Sequence, residues 1–169
     1  MKISAEKVGL HVANIAFEHN WKIAKKAFLN SSWFKGDKKS LQDELLVFLF
    51  FCGDFSLLFT GIKNENVLKR MRNSYVRMWQ AFVRKVSPTA LIKYDEHCKK
   101  YVTALHGEGK SIQTKRYGDF GSGIIGQLFL KLSGCDSLDI KLFVTETWSS
   151  TTINIVNYIR EMNEKHGVI

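Results

Sequence analysis

The stretch "LLVFLFFCGDFSLLFTGI", residues 45–62, carries one charged residue, Asp54. Its length and hydropathy suit a short membrane span. They equally suit a helix enclosed on all sides by other helices. Three features favour enclosure. Gly53, Asp54 and Ser56 interrupt the middle of the run, basic residues flank it at both ends, and the rest of the chain is amphipathic rather than apolar. The expected fold is therefore all-α. A single compact bundle of about six helices surrounds a hydrophobic central helix at about 41–61, residues 1–169 form one domain, and no transmembrane span is expected.

The surrounding chain fits that frame. Pro88 is the one proline, and long spans separate the turn signals, which favours helices over short strands. At 169 residues the chain can bury a core without metal or disulfide support. Within about 4–29, Leu10, Ala13, Phe17, Trp21, Ala24 and Phe28 recur at helical spacing. Lys7, Asn14, Glu18, Lys22 and Lys25 take the other face, with Glu18 and Lys22 as an i,i+4 pair. Residues 30–39 read as a loop. Ser40 is expected to cap the central helix, placing Asp43 and Glu44 in its first turn.

Downstream, a third helix is expected over about 65–86. Ser87-Pro88 ends it and opens a fourth, carrying the stripe Leu91, Tyr94, Cys98, Tyr101, Val102 and Leu105 and stopped by Gly107 and Gly109. A short fifth helix spans about 122–132. A sixth, capped by Asp136 or Ser137, spans about 138–164, where Ile140, Val144, Trp148, Ile155, Ile159 and Met162 share a face. The hydroxyl run Ser149–Thr152 is expected to bend or break it, because such side chains compete for helix carbonyls.

Gly121, Gly123 and Gly126 spell G-x-G-x-x-G ahead of an apolar run. A dinucleotide site needs a strand before the first glycine and a parallel sheet around it. The preceding "SIQTKRY" is short and polar, so the glycines read as turn and packing residues. Anion binding at the following helix terminus, aided by Lys110, Lys115 and Arg116, is the residual functional reading.

His11, His19, His97, His106 and His166 occur in no metal-ligand spacing, and Cys52, Cys98 and Cys135 form no C-x-x-C pair. No metal or cofactor is implied, and no catalytic residue is assigned. The thiols read as reduced, in a cytoplasmic protein.

The formal charge is +9, which favours acidic partners. Lys63, Arg70, Arg77 and Arg84 recur every seven residues on the third helix, with Val67, Met71, Tyr75, Met78, Phe82 and Val86 expected opposite them. This row reads either as a solvated face or as an anion- and partner-binding surface. No glycine-containing helix-turn-helix corner or exposed aromatic row accompanies it, so nucleic-acid binding would be weak and sequence-nonspecific. Asp54, Phe55, Phe59 and Trp79 form a candidate pocket beside the central helix. The leading expectation is a non-enzymatic interaction or regulatory domain that binds a protein partner through its basic surface. A small apolar-ligand domain using that pocket and a weak nucleic-acid binder are the alternatives.

Overall fold

The computed structural model describes residues 2–32, 34–108 and 122–169. Among these residues six helices pack as an all-α bundle. The first, α1, is a rod of four successive helical segments: Ala5–Ala13, Asn14–Glu18, His19–Ala24 and Lys25–Leu29. The second and fourth segments are π-turns. A π-turn inserts an extra residue into the helical repeat and leaves backbone carbonyls poorly served. Asn20 answers both problems. Its side-chain amide donates to Ala16 O at 3.0 Å and to Thr151 Oγ1 at 3.0 Å, tying the rod to the last helix.

Helix α2 spans Lys38–Ser56 and runs on into a 3-10 turn, Leu57–Phe59. Asp37 caps it, accepting from the backbone N–H groups of Lys39 and Ser40, so Ser40 is helical rather than the cap. All side chains from Asp43 to Cys52 are buried. Fully burying each large apolar side chain contributes on the order of 2 kcal/mol, which makes α2 the organising element of the core. Phe51 stacks on Tyr101 at 5.0 Å and on Trp148 at 5.4 Å, and Phe50 lies against Tyr75, Trp79 and Tyr94. Among the described residues no helix is long and apolar enough to cross a membrane.

Helix α3 (Glu65–Val86) is capped by Asn64 and packs along α1. The two approach closely at Gly9, where a Cβ would sit 2.2 Å from the backbone oxygen of Met71. The buried row of α3 is Val67, Met71, Tyr75, Trp79 and Val83. This corrects the expected phase: Met78 is exposed, and Trp79 and Val83 take the core side. On α1, Leu10 is likewise exposed, while Val8, Val12 and Ala16 are buried. Gly53 does not break α2. It makes room for the Tyr75 hydroxyl, which would lie 2.3 Å from a Cβ there and which donates to Phe50 O.

Three more helices complete the bundle: α4 (Thr89–Glu108), α5 (Ser122–Ser133) and α6 (Leu138–His166). Ser137 caps α6, as expected. The hydroxyl run leaves α6 unbroken, because Ser150 bonds back to Glu146 O and Thr151 is engaged by Asn20. Gly126 allows α5 to approach α6, whereas Gly123 faces open space. Ile3 and Val168 form a parallel bridge, and Ala5 N–H donates to Ile169 O, so the segment before α1 lies against the segment after α6.

Candidate functional site

Three places gather chemistry. The first lies in the core. Asp43 and Glu44, expected in the first turn, are buried in the second turn of α2. The Glu44 carboxylate accepts from His97 Nδ1 at 2.5 Å and from the Tyr101 hydroxyl at 2.6 Å. Asp43 accepts from the Ser87 and Thr89 hydroxyls at 2.5 and 2.8 Å, with Lys93 Nζ at 3.4 Å. Burial, and next the Glu44 charge, push the Tyr101 phenol well up. This cluster has the residue types of an acid–base site. Its carboxylates are buried and bonded to Ser87 and to side chains of α4, with Thr89 and Lys93 at the partly exposed edge, so it forms a polar clamp between α2 and α4.

Adjacent carboxylates on a helix look like dipole partners in a sequence, and that reading hid the clamp. The available signal was on α4, where Thr89, Lys93, His97 and Tyr101 recur every four residues opposite them.

The second place is a cleft of about 600 Å³ among the C-terminal half of α2, α3 and α4. Phe51, Phe55, Leu58, Leu68 and Val102 supply apolar walls, and Asp54, Lys69, Arg72 and Asn73 line its polar side. Asp54 accepts twice from Arg72, Nε to Oδ1 at 2.5 Å and Nη2 to Oδ2 at 2.8 Å. That bidentate pair holds the guanidinium's proton still more firmly than usual. Burial, and next the Asp54 charge, push the Cys98 thiol up, so this cleft cysteine is a weak nucleophile. Asp54 and Phe55 thus meet in one cleft. Phe59 packs against Phe55 with the rings tilted, centroids 5.0 Å apart, without lining it. Trp79 does not line it either. The phase of α3 turns the indole into the core against Phe50, where its N–H donates to Leu46 O at 3.0 Å.

The third place is the outer face of α3. Lys63, Arg70, Arg77 and Arg84 are all exposed. Arg70 pairs with Glu6 of α1 at 3.2 Å, both about half exposed. Glu6, Leu10, Arg70, Arg77, Met78 and Ala81 line a shallow groove between α1 and α3. Leu10 and Met78 are 42% and 38% exposed there, an apolar strip beside the arginines. Lys115 and Arg116, together with Gly109, Lys110, Gly118 and Gly121, lie outside the described residues. Among the described residues no three His, Cys, Asp or Glu side chains are placed to hold a metal ion.

Comparison of the chain with family models, curated proteins and solved structures finds no match.

Proposed function

We propose that this is a non-enzymatic interaction domain that docks an acidic protein segment in the groove between α1 and α3. The observation that carries the reading is the apolar strip of Leu10 and Met78 set beside Arg70 and Arg77 on an open face of a chain of charge +9. Arginine binds carboxylates in a bidentate fork, and the exposed methionine and leucine supply apolar contact. The apolar strip of Leu10 and Met78 offers contact to apolar side chains and none to a phosphate backbone, which favours a protein over nucleic acid. The buried carboxylates of α2, each accepting from Ser87 or from side chains of α4, support a structural rather than catalytic role for the acid–base residues. Unpaired Cys52, Cys98 and Cys135 fit a cytoplasmic setting.

The test places a photo-cross-linking amino acid at Ala81, within the groove, and at exposed Lys131 of α5, which packs on α2, α4 and α6, as a remote control. Light-dependent adducts to an acidic protein at position 81 alone, lost in Arg77→Glu, support the docking surface. Adducts only to nucleic acid, adducts equal at both positions, or none, overturn it.

A further inference from the structure

We infer that the cleft between α2, α3 and α4 is a second, independent site, built for a small amphipathic carboxylate. Its volume of about 600 Å³ falls in the range of small-molecule sites, about 300–1,000 Å³. Its walls divide the ligand into two parts. Phe51, Phe55, Leu68 and Val102 offer an aromatic and aliphatic surface to a chain or ring. Leu58, 75% exposed at the lining, is an apolar side chain left largely in water where such a body would cover it.

Charge selects the head group. Asp54 is engaged on both oxygens by Arg72, so its negative charge is already matched. Lys69, one turn before Arg72 on the same helix, lines the cleft and has no ion-pair partner among the described residues. Two cations against one carboxylate leave one positive charge on the polar side. Arg72 also keeps unused N–H donors, since only Nε and one Nη2 hydrogen serve Asp54. Asn73 adds an amide at the same edge. A single carboxylate there completes the local charge, whereas a cationic head meets Lys69 and Arg72 unfavourably, and a neutral head leaves Lys69 unmatched. The site shares Asn73 with the groove between α1 and α3 but differs from it in its occupant and in the charged residues that carry it, Lys69 and Arg72 against Arg70 and Arg77, so either stands without the other.

Isothermal titration of the full chain with dodecanoate, dodecan-1-ol and dodecyltrimethylammonium, each below its micelle concentration, tests the assignment. One-to-one binding of dodecanoate, at least about tenfold tighter than either analogue, is expected. Lys69→Glu should weaken dodecanoate by about tenfold or more without loss of helicity. Filling the cleft by Val102→Trp, or by Leu68→Trp if the first variant is not helical, should abolish binding. Equal affinity for the three head groups, indifference to Lys69→Glu, retention of binding in a filled and folded variant, or binding only to anionic phospholipid vesicles would overturn it.

Discussion

His97 Nδ1 lies 2.5 Å from Oε2 of Glu44, a carboxylate with no exposed surface. The other oxygen of Glu44 takes the Tyr101 hydroxyl. A buried carboxylate survives only with its lone pairs served, and both partners come from α4, one turn apart on that helix.

Glu44→Ala should cost about 3–5 kcal/mol, because it leaves His97 and Tyr101 buried without their acceptor. The triple replacement Glu44→Met, His97→Leu, Tyr101→Phe should recover most of that loss, since apolar groups of similar volume need no partners. Urea denaturation of the three proteins reads both quantities. A Glu44→Ala protein within about 1 kcal/mol of the wild type would show that the clamp contributes little.

Gly9→Ala should be strongly destabilising, beyond the roughly 1–3 kcal/mol typical of overpacking, because the new methyl meets the Met71 backbone oxygen rather than a side chain that can turn away. Gly123→Ala, on an open helical surface, should be neutral or stabilising by up to about 1 kcal/mol. Thermal melts of the pair suffice. Equal shifts in Tm would refute the close α1–α3 approach.

Alkaline pH should unfold the protein cooperatively. Burial, and next the charges of Asp54 for Tyr75 and Glu44 for Tyr101, push both phenols well up, and Tyr94 reaches about 12. Unfolded tyrosine titrates near about pH 10, so above that pH the native state holds protons the unfolded chain has released. Stability therefore falls as pH rises. The contribution is intact below about pH 10 and is lost above it. Tyrosinate absorbance from the buried pair should appear together with loss of helical circular dichroism. Full tyrosinate signal from a still-helical protein would contradict this.

Replacing Arg70, Arg77 and Arg84 together by glutamine should leave stability nearly unchanged, since each solvent-facing change costs within about 0.5 kcal/mol and the Arg70–Glu6 pair is half exposed. Association with an acidic partner should slow and lose salt dependence. Unfolding of the triple variant would mean that these side chains support the core.

The architecture was legible because α2 is apolar on every side and its neighbours are not. Positions were harder. Helical spacing allowed either Met78 or Trp79 on the inner face of α3, and only the demand of the indole N–H for Leu46 O decides between them. The π-turns of α1 are invisible to a fixed 3.6-residue period, so Leu10 was assigned to the wrong side. Asp54 lines the cleft beside Phe55, while its partner Arg72 falls off the seven-residue row of cations on α3. The partner of Glu44 lies 53 residues away in sequence, and the four-residue row on α4 that carries His97 gains its meaning only once α2 and α4 lie side by side.

The four-residue recurrence of Thr89, Lys93, His97 and Tyr101 also governs sliding. An apolar rod such as α2 meets a greasy neighbour almost equally well after a shift of one turn, about 5.4 Å. Here such a shift would carry Glu44 past Tyr101 or back toward Lys93 and strand Asp43 without its two hydroxyls. The two carboxylates thus work as a key cut for one notch: only in the native register are all four of their hydroxyl and imidazole partners met, which favours that pairing of α2 with α4 over neighbours that hydrophobicity alone would leave nearly degenerate.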